Sequence, residues 1–245
     1  MLKVEDLSVQ FGLRTVLEGV NLEIEPGEVV GVIGPNGCGK TTLLNALSGF
    51  VRPRSGSVLF KNEDITHLSA YKRAGLGLGR SFQTAGVFKE MTVEENLMLT
   101  IEATENLPLW WRFSKKERAR VNKIIEKQLE SMDLLGHKHS LAGVLSGGQL
   151  RLLEMVKLKI TGGDLLLIDE PTAGVAPVMR NMLSQAIKEL QKDKKRSIII
   201  VEHDLKFLFN LVDRVVVLVE GEVYMQGKPK ELLNDPKLKE VYFGS

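Results

Sequence analysis

A glycine-rich loop at residues 34–42 constrains the fold of this chain more than any other stretch. Its sequence, GPNGCGKTT, matches the pattern G-x-x-x-x-G-K-[ST] and lies between the aliphatic run GEVVGVIG and the helical pattern TTLLNALSG. Glycines allow successive backbone N–H groups to curl around an anion without obstruction by side chains. Between a buried strand and a helix, this loop predicts a phosphate-binding site in an α/β fold.

The residue types in the loop suit a nucleoside triphosphate bound with Mg²⁺. Gly34, Gly37 and Gly39 leave room for the β-phosphate, and Lys40 can reach the β- and γ-phosphates. Thr41 offers its hydroxyl oxygen to Mg²⁺. The loop therefore predicts both where the phosphates bind and one of the metal ligands.

Cys38, the single cysteine of the chain, lies inside this loop. One cysteine excludes an internal disulfide and suits a reducing compartment. We consider two interpretations of its position. In the first, the loop simply requires a small residue there; in the second, the helix N-terminus lowers the pKa of the thiol and makes it modifiable.

Four aliphatic runs predict strands that are buried on both faces, as in a parallel sheet flanked by helices. They are GEVVGVIG at 27–34, DLLLID at 164–169, SIIIVE at 197–202 and RVVVLVE at 214–220. Three further segments alternate apolar and polar residues, namely KVEDLSVQF, GVNLEIEPG and GSVLFKNEDI. That alternation predicts antiparallel strands with one solvated face.

The signal for strands disappears between residues 84 and 150. Six residues keep a helical period there, with basic residues around them, namely Val121, Ile124, Ile125, Gln128, Leu129 and Met132. We therefore predict one α/β domain interrupted by a helical insertion. Its predicted parts are a core with an antiparallel β-subdomain at 1–83 and 151–228, a helical subdomain at 84–150, and a C-terminal tail at 229–245.

Acidic side chains and a histidine follow two of the predicted buried strands. Asp169 ends the strand in LLLIDEP and is placed to hold Mg²⁺, because ligands bind beyond the carboxyl ends of strands in open α/β sheets. Glu170 follows directly, where a carboxylate can polarise an attacking water as a general base. His203 in IIIVEHD occupies the corresponding strand end and is predicted to contact the γ-phosphate.

The overall charge argues against a protein that works mainly by neutralising nucleic acid. Lys and Arg number 33 against 31 Asp and Glu, a net charge of +2. No apolar run approaches the length of a membrane span, and the amino end, MLKVEDLSVQ, carries charges where a signal peptide has an apolar run. We expect a cytoplasmic globular protein with no nucleic-acid partner, held at a membrane only through other subunits.

Five motifs, in this order, resemble those of the ATP-binding subunits of ABC transporters. They are GPNGCGKTT, SFQ, LSGGQ, LLLIDEP and VEHD, and the resemblance covers nearly the whole chain. It implies that Phe11 stacks on adenine and that Gln83 contacts Mg²⁺ and the attacking water while sensing the transporter. It also implies that the phosphates of ATP are held by Gly34, Pro35, Asn36, Gly37, Cys38, Gly39, Lys40, Thr41 and Thr42.

The LSGGQ motif places a second glycine turn, Ser146, Gly147, Gly148 and Gln149, at the start of a predicted helix. Such a turn can hold a phosphate through backbone N–H groups and the helix dipole. It has no lysine or metal carboxylate beside it in the sequence, so alone it would bind phosphate weakly. The ABC resemblance implies that these residues complete the nucleotide site of a neighbouring subunit in a head-to-tail homo- or heterodimer.

A closer resemblance is to the ATPases of branched-chain amino-acid importers, of the type with the longer helical insertion. It is carried by GRSFQTAGVFKEMTVEENLML, DEPTAGVAP, VEHDLKFL and the tail GKPKELLNDPKLKEVYFG. Urea and short-chain-amide importers and the lipopolysaccharide-export ATPase are near relatives and stay open as alternatives. A soluble ABC ATPase of translation or DNA repair is a further alternative, disfavoured by the single cassette and short insertion.

The resemblance also implies partners beyond a second ATPase subunit. These are integral membrane permease subunits, which would hold the protein at the inner face of the cell membrane, and indirectly a solute-binding protein. We predict the permease contact around Gln83, with Val87 and Phe88 either exposed to that partner or packed within the helical subdomain. Trp110 and Trp111 are interpreted either as an apolar anchor beneath a helix or as a contact with the permease or membrane surface.

Overall fold

The computed structural model describes residues 1–81, 86–105, 107, 111, 114–191, 196–233, 235, 236 and 238. The chain forms two compact units, which we call the sheet unit and the helical unit and describe separately. The sheet unit consists of residues 1–80, 163–170 and 191–245, and the helical unit consists of residues 81–162 and 171–190.

The strands all belong to the sheet unit. Their bounds are β1 Leu2–Phe11, β2 Arg14–Ile24, β3 Val29–Ile33, β4 Ser55–Phe60, β5 Glu63–Asp64, β6 Leu78–Arg80, β7 Leu165–Asp169, β8 Ser197–Val201, β9 Arg214–Val219 and β10 Glu222–Gly227. The helices are α1 Lys40–Ser48, α2 Ala70–Gly75, α3 Val93–Glu105, α4 Lys115–Glu130, α5 Gly147–Thr161, α6 Pro177–Leu190, α7 Leu205–Phe209 and α8 Pro229–Leu232.

A six-stranded sheet in the order β10-β9-β3-β8-β7-β6 forms the core of the sheet unit. Every residue of β3, β7 and β8 is buried, as their continuous aliphatic sequences predict. Strands β3, β6, β7, β8 and β9 pair in parallel, whereas β10 pairs antiparallel with β9. The sheet is therefore mixed, and the carboxyl ends of its parallel strands share one edge, where Gly34 follows β3, Asp169 ends β7 and His203 lies just beyond β8.

A second, four-stranded antiparallel sheet has the order β2-β1-β4-β5. Leu2 pairs with Ile24 on one side and with Phe60 on the other, and all three side chains are buried. Their exposed neighbours alternate with them along the strands, which confirms the prediction of antiparallel strands with one solvated face.

The helical unit contains α3 to α6. In α4 the buried residues are Val121, Ile125 and Leu129, one stripe at helical spacing as predicted. Helix α5 packs against both α3 and α6. The unit therefore extends beyond the predicted 84–150 to 162 and includes 171–190, because the apolar faces of α5 and α6 are covered within it.

The loop-bearing helix α1 is held at its C-terminal end by a buried arginine. Arg73, 1% exposed, donates hydrogen bonds to the carbonyl oxygens of Ala46 and Leu47 at 2.7 Å, Thr66 at 2.8 Å and Leu68 at 3.1 Å. Burial lowers the pKa of this guanidinium to about 10, so the side chain stays charged at neutral pH. A cation here also suits the negative end of the α1 dipole.

We expect Arg73→Met to destabilise the protein by about 3 kcal/mol, because it leaves buried carbonyl groups without their donor. Urea unfolding monitored by circular dichroism measures this loss. Lys72→Met, at the exposed neighbouring position on α2, is the matched control and should change the free energy of unfolding by less than about 0.5 kcal/mol. Equal stability of the two variants would contradict the assigned role of Arg73.

Candidate functional site

The loop between β3 and α1 requires glycine at two positions for packing reasons. A Cβ atom on Gly34 would lie 2.0 Å from the carbonyl oxygen of Leu218. Gly39 has a φ of 109°, and its Cβ would lie 2.9 Å from the carbonyl oxygen of Val16. The predicted glycines therefore hold the loop against neighbouring backbone as well as keeping it open to an anion.

Lys40 is the first residue of α1 and is only 5% exposed. Its Nζ donates to the carbonyl oxygens of Gly34 and Pro35, both at 2.9 Å, so the ammonium group lies within the curl of the loop. Among the described residues no side chain caps the N-terminus of α1. Helix N–H groups, the helix dipole and a lysine thus converge at one point, which is the arrangement that binds phosphate.

A cavity of ≈ 170 Å³ opens in front of this loop. Its lining brings together most of the loop residues predicted from the sequence with both catalytic candidates, and consists of Val16, Asn36, Gly37, Gly39, Lys40, Thr41, Thr42, Glu170 and His203. Phe11, predicted to stack on adenine, ends β1 and is 51% exposed. An exposed ring in the same unit as the cavity is available for stacking.

Glu170 directly follows β7 in a strained backbone conformation. Its φ is 45°, uncommon for a residue with a side chain, and its N–H donates to the carbonyl oxygen of Val201 at 2.9 Å. Glu170 Oε1 lies 2.8 Å from His203 Nε2. Strained backbone conformations of this kind concentrate at functional sites. Here the conformation of Glu170 places its carboxylate beside the imidazole of His203 at the cavity.

A buried glutamate that sequence reasoning missed fixes the turn bearing His203. Glu202 is 2% exposed, and its Oε2 accepts hydrogen bonds from the N–H groups of His203 at 2.7 Å and Asp204 at 3.1 Å. The signal was present in the motif VEHD, where an acidic residue ends a buried strand. Its role could not be read from the motif because both bonds go to backbone groups.

Asp169, the predicted metal carboxylate, ends β7 and is 1% exposed. Arg80 at the end of β6 places its Nη2 3.5 Å from Asp169 Oδ2 and also donates to Ser48 Oγ. Burial lowers the pKa of the Arg80 guanidinium, and the Asp169 carboxylate opposes that shift. Arg80 is thus a second missed contact of the site, joining β6, β7 and the end of α1.

The hypothesis that the pKa of Cys38 is lowered is wrong. Burial raises the pKa of this thiol, and the nearby Lys40 ammonium, 3.9 Å from Sγ, offsets the shift only in part. The thiol is 6% exposed and lies 2.7 Å from the position that a Cβ on Gly34 would occupy. The structure therefore supports the other interpretation, a position that needs a small buried side chain.

We expect Cys38 to react with iodoacetamide at least about ten-fold more slowly than the same cysteine in the urea-unfolded chain at pH 8, because both burial and the raised pKa reduce accessible thiolate. Mass spectrometry of quenched samples measures the rates. The chain has a single cysteine, so the unfolded protein is its own control. Equal rates in the two states would contradict the assigned burial.

The second glycine turn begins α5 in the helical unit. Ser146 Oγ accepts from the N–H of Gln149 at 3.3 Å, and Gln149 Oε1 accepts from the N–H of Ser146 at 2.9 Å, a reciprocal capping box. A Cβ on Gly148 would lie 3.0 Å from Met179 Cγ, so packing within the unit contributes to the requirement for glycine. Ser146 and Gly147 are exposed.

Of the residues predicted to contact a permease or the membrane, Trp111 and Phe88 are among those that the structure describes. Gln83 and Trp110 lie outside the described residues. Trp111 is 1% exposed and its Nε1 donates to Glu102 Oε1 at 2.8 Å, which supports an anchoring role. Phe88 is 56% exposed, with Lys157 Nζ 5.7 Å from its ring centroid. Its exposure favours the partner-contact interpretation over packing within the subdomain.

The described residues contain neither a candidate membrane-spanning helix nor a cluster of metal-binding side chains. None of the helices combines the length and apolar character that crossing a membrane needs. Likewise, within the described part of the chain no three His, Cys, Asp or Glu side chains are grouped as a metal site.

Residues 17–173 match the sequence profile of a family described as ABC transporter. Among curated proteins, the chain is 38% identical to the probable branched-chain amino acid transport ATP-binding protein LivG of Archaeoglobus fulgidus, covering 100% of this chain and 96% of that protein. It is 33% identical to the high-affinity branched-chain amino acid transport ATP-binding protein LivG of Escherichia coli K12, covering 100% of this chain and 98% of that one.

Solved structures show the same fold over the full length. A nucleotide-free ATP-binding cassette from an ABC transporter superposes with a TM-score of 0.85 at 35% identity, covering 100% of this chain and 99% of the other. A structure of an ATP-binding cassette of an ABC transporter in its ADP conformation gives a TM-score of 0.85 at 36% identity, with the same coverage. The predicted fold, a mixed core sheet with an antiparallel sheet and a set of helices, is confirmed.

Proposed function

The chain belongs to the ABC transporter family as an ATP-binding and ATP-hydrolysing subunit, and on this premise we propose that it powers the import of branched-chain amino acids. The observation that carries the proposal is the cavity in which Lys40, Glu170 and His203 meet around a phosphate cradle. The choice of solute is supported by full-length similarity to branched-chain amino acid transport ATP-binding proteins.

The residues present fit Mg²⁺ as well as ATP. Mg²⁺ binds through one or two protein oxygens and completes its shell with substrate phosphates and water. Thr41 supplies a hydroxyl at the cavity, and Asp169 supplies a carboxylate at the end of β7. When bound, Mg²⁺ would neutralise charge on the β- and γ-phosphates; Gln83 is the third proposed ligand.

In the proposed hydrolysis of ATP, each of the chain's own side chains has a separate role. Lys40 and the loop glycines bind the phosphates, and Phe11 holds the adenine ring. Glu170 accepts the proton of the attacking water, which requires its carboxylate to be ionised. His203 donates a hydrogen bond to the γ-phosphate, and its contact with Glu170 holds the two side chains at the same side of the cavity.

We propose that two subunits, alike or different, assemble head to tail. In this dimer the exposed Ser146 and Gly147 turn meets the γ-phosphate held by the partner's Lys40. ATP favours the closed dimer only if its γ-phosphate contacts both subunits, since a ligand shifts an equilibrium by its difference in affinity. Hydrolysis then removes the contact and reopens the dimer.

The membrane contact is proposed at Gln83, Val87 and the exposed ring of Phe88. An exposed aromatic side chain on a loop is the kind of feature that permease subunits can bury. Through such a contact the protein would be held at the inner face of the cell membrane. A solute-binding protein would act on the permease subunits and reach this chain only indirectly.

Reconstitution tests the proposal and its alternatives together. The chain is assembled with its membrane subunits in vesicles, and ATP-dependent uptake of labelled leucine, isoleucine and urea is measured beside phosphate release. We expect uptake of the branched-chain amino acids, and Lys40→Met should abolish both uptake and phosphate release. Uptake of urea alone would assign an amide importer, and phosphate release without any uptake would contradict a role in import.

A further inference from the structure

The side-chain amide of Gln149 has a fixed orientation in the 146–149 turn. Its Oε1 accepts from the N–H of Ser146 at 2.9 Å, which assigns the oxygen because a backbone N–H can only donate. The amide nitrogen Nε2 must then face the other way. It lies 2.9 Å from Nε2 of His137, which is partly buried.

That contact defines the hydrogen-bonding role of Nε2 in the His137 ring. An amide nitrogen has no acceptor capacity, so Gln149 Nε2 donates and His137 Nε2 accepts. In this contact Nε2 of His137 therefore acts as the acceptor and carries no proton. Both ends of the Gln149 amide are engaged, one by the turn and one by His137.

His137 is itself held by the body of the helical unit. It ends a short 3-10 helix, Leu135–His137, and its N–H donates to the carbonyl oxygen of Leu134 at 3.0 Å. The next residue, Lys138, pairs with Glu94 of α3 at 3.3 Å and with Glu126 of α4 at 2.8 Å. His137 thus links the 146–149 turn, in which Ser146 and Gly147 are exposed, to a segment that is paired with two helices.

We propose that His137 is a positioning residue that holds the 146–149 turn, through Gln149, in the shape that receives a partner subunit's nucleotide. The inference rests on the proposed function, in which this turn completes the site of a second subunit. Without the acceptor on His137, the Gln149 amide loses one of its two restraints. The exposed turn then samples other conformations, and closure of the dimer has to select the competent one.

Three variants separate positioning from general stability. His137→Leu removes the acceptor, whereas His137→Gln places an amide oxygen at a similar reach and restores it. His139→Leu is the matched control, because His139 is 78% exposed and contacts Glu94 rather than Gln149. Each is made in the Glu170→Gln background, and ATP-dependent dimerisation is measured by sedimentation velocity, with binding of a fluorescent ATP analogue to the single subunit measured separately.

We expect His137→Leu to weaken ATP-dependent dimerisation about five-fold, the equivalent of one neutral hydrogen bond, with unchanged analogue binding. His137→Gln and His139→Leu should dimerise like the parent. Unchanged dimerisation in His137→Leu, or failure of His137→Gln to restore it, would overturn the positioning role. Loss of dimerisation in the parent itself would instead contradict the proposed dimer, and Ser146→Arg tests that point independently.

Discussion

Glu170→Gln is expected to lower ATP turnover about a thousand-fold while leaving ATP binding intact. The substitution keeps the size of the side chain but removes its ability to accept a proton from water. Glu170 lines the cavity with Lys40 and His203, and its carboxylate is 17% exposed, so it is not part of the buried core. A glutamine can still contact His203 Nε2, through either its oxygen or its nitrogen, and the local geometry should persist.

The same variant should accumulate as a dimer when ATP is present. In the proposed dimer, ATP binding closes the two subunits and hydrolysis reopens them, so blocking the second step leaves the closed state populated. Phosphate release and sedimentation velocity with and without ATP measure the two effects. Together they separate a role in catalysis from a role in nucleotide binding.

Glu220→Gln is the matched control for this variant. Glu220 is also in the sheet unit and also has a positive φ, 47° against 45° for Glu170. The two substitutions therefore remove the same charge at positions of similar backbone conformation. Glu220 is exposed and does not line the cavity, so turnover of this variant should stay within about two-fold of the wild type. Turnover of Glu170→Gln at the wild-type level would refute Glu170 as the base.

Local patterns in the sequence predicted the parts of the fold that depend on burial of single segments. The aliphatic runs of β3, β7, β8 and β9 are buried strands, because a strand covered on both faces is apolar at most of its positions. The boundaries of the two units were harder to predict from the sequence. They depend on which helices cover the apolar face of α5, and no single segment contains that information.

In the candidate site, too, contiguous motifs could be predicted from the sequence, whereas contacts between distant residues could not. Most of the residues predicted within 34–42 line one cavity, because they follow one another along the chain between β3 and the first turn of α1. Arg80 and Asp169 meet although 89 positions separate them, and only the pairing of β6 with β7 brings them together. The direction of the pKa shift of Cys38 could not be predicted from its place in the sequence. A position near a helix N-terminus favours the thiolate, but burial of the side chain outweighs that effect and raises the pKa.

Ser146→Arg is expected to abolish ATP-dependent dimerisation and to lower turnover about a hundred-fold, while each subunit binds ATP as before. The cavity proposed to bind ATP is lined by residues of the sheet unit, and Ser146 is not among them. In the proposed dimer, however, the exposed turn must approach the γ-phosphate closely enough for hydrogen bonds from the Ser146 hydroxyl and the helix N–H groups. A long side chain at this position keeps the surfaces apart.

The substitution also removes the cap of α5, since arginine has no acceptor for the N–H of Gln149. That loss costs about 1 kcal/mol and is too small to unfold the protein, which urea unfolding can verify. Ser131→Arg makes the same exchange at an exposed serine of the same unit, at the C-terminal end of α4, where a cation is favourable. It should dimerise normally.

Arginine can itself bind phosphate, and this makes the outcome of Ser146→Arg informative. If the turn lay away from any nucleotide, the variant would dimerise as the wild type does. If it met phosphate loosely, the added charge would strengthen dimerisation. Only a turn that must lie in close contact with the partner's ATP predicts loss, so a dimer fraction equal to or above that of the wild type would contradict the shared site.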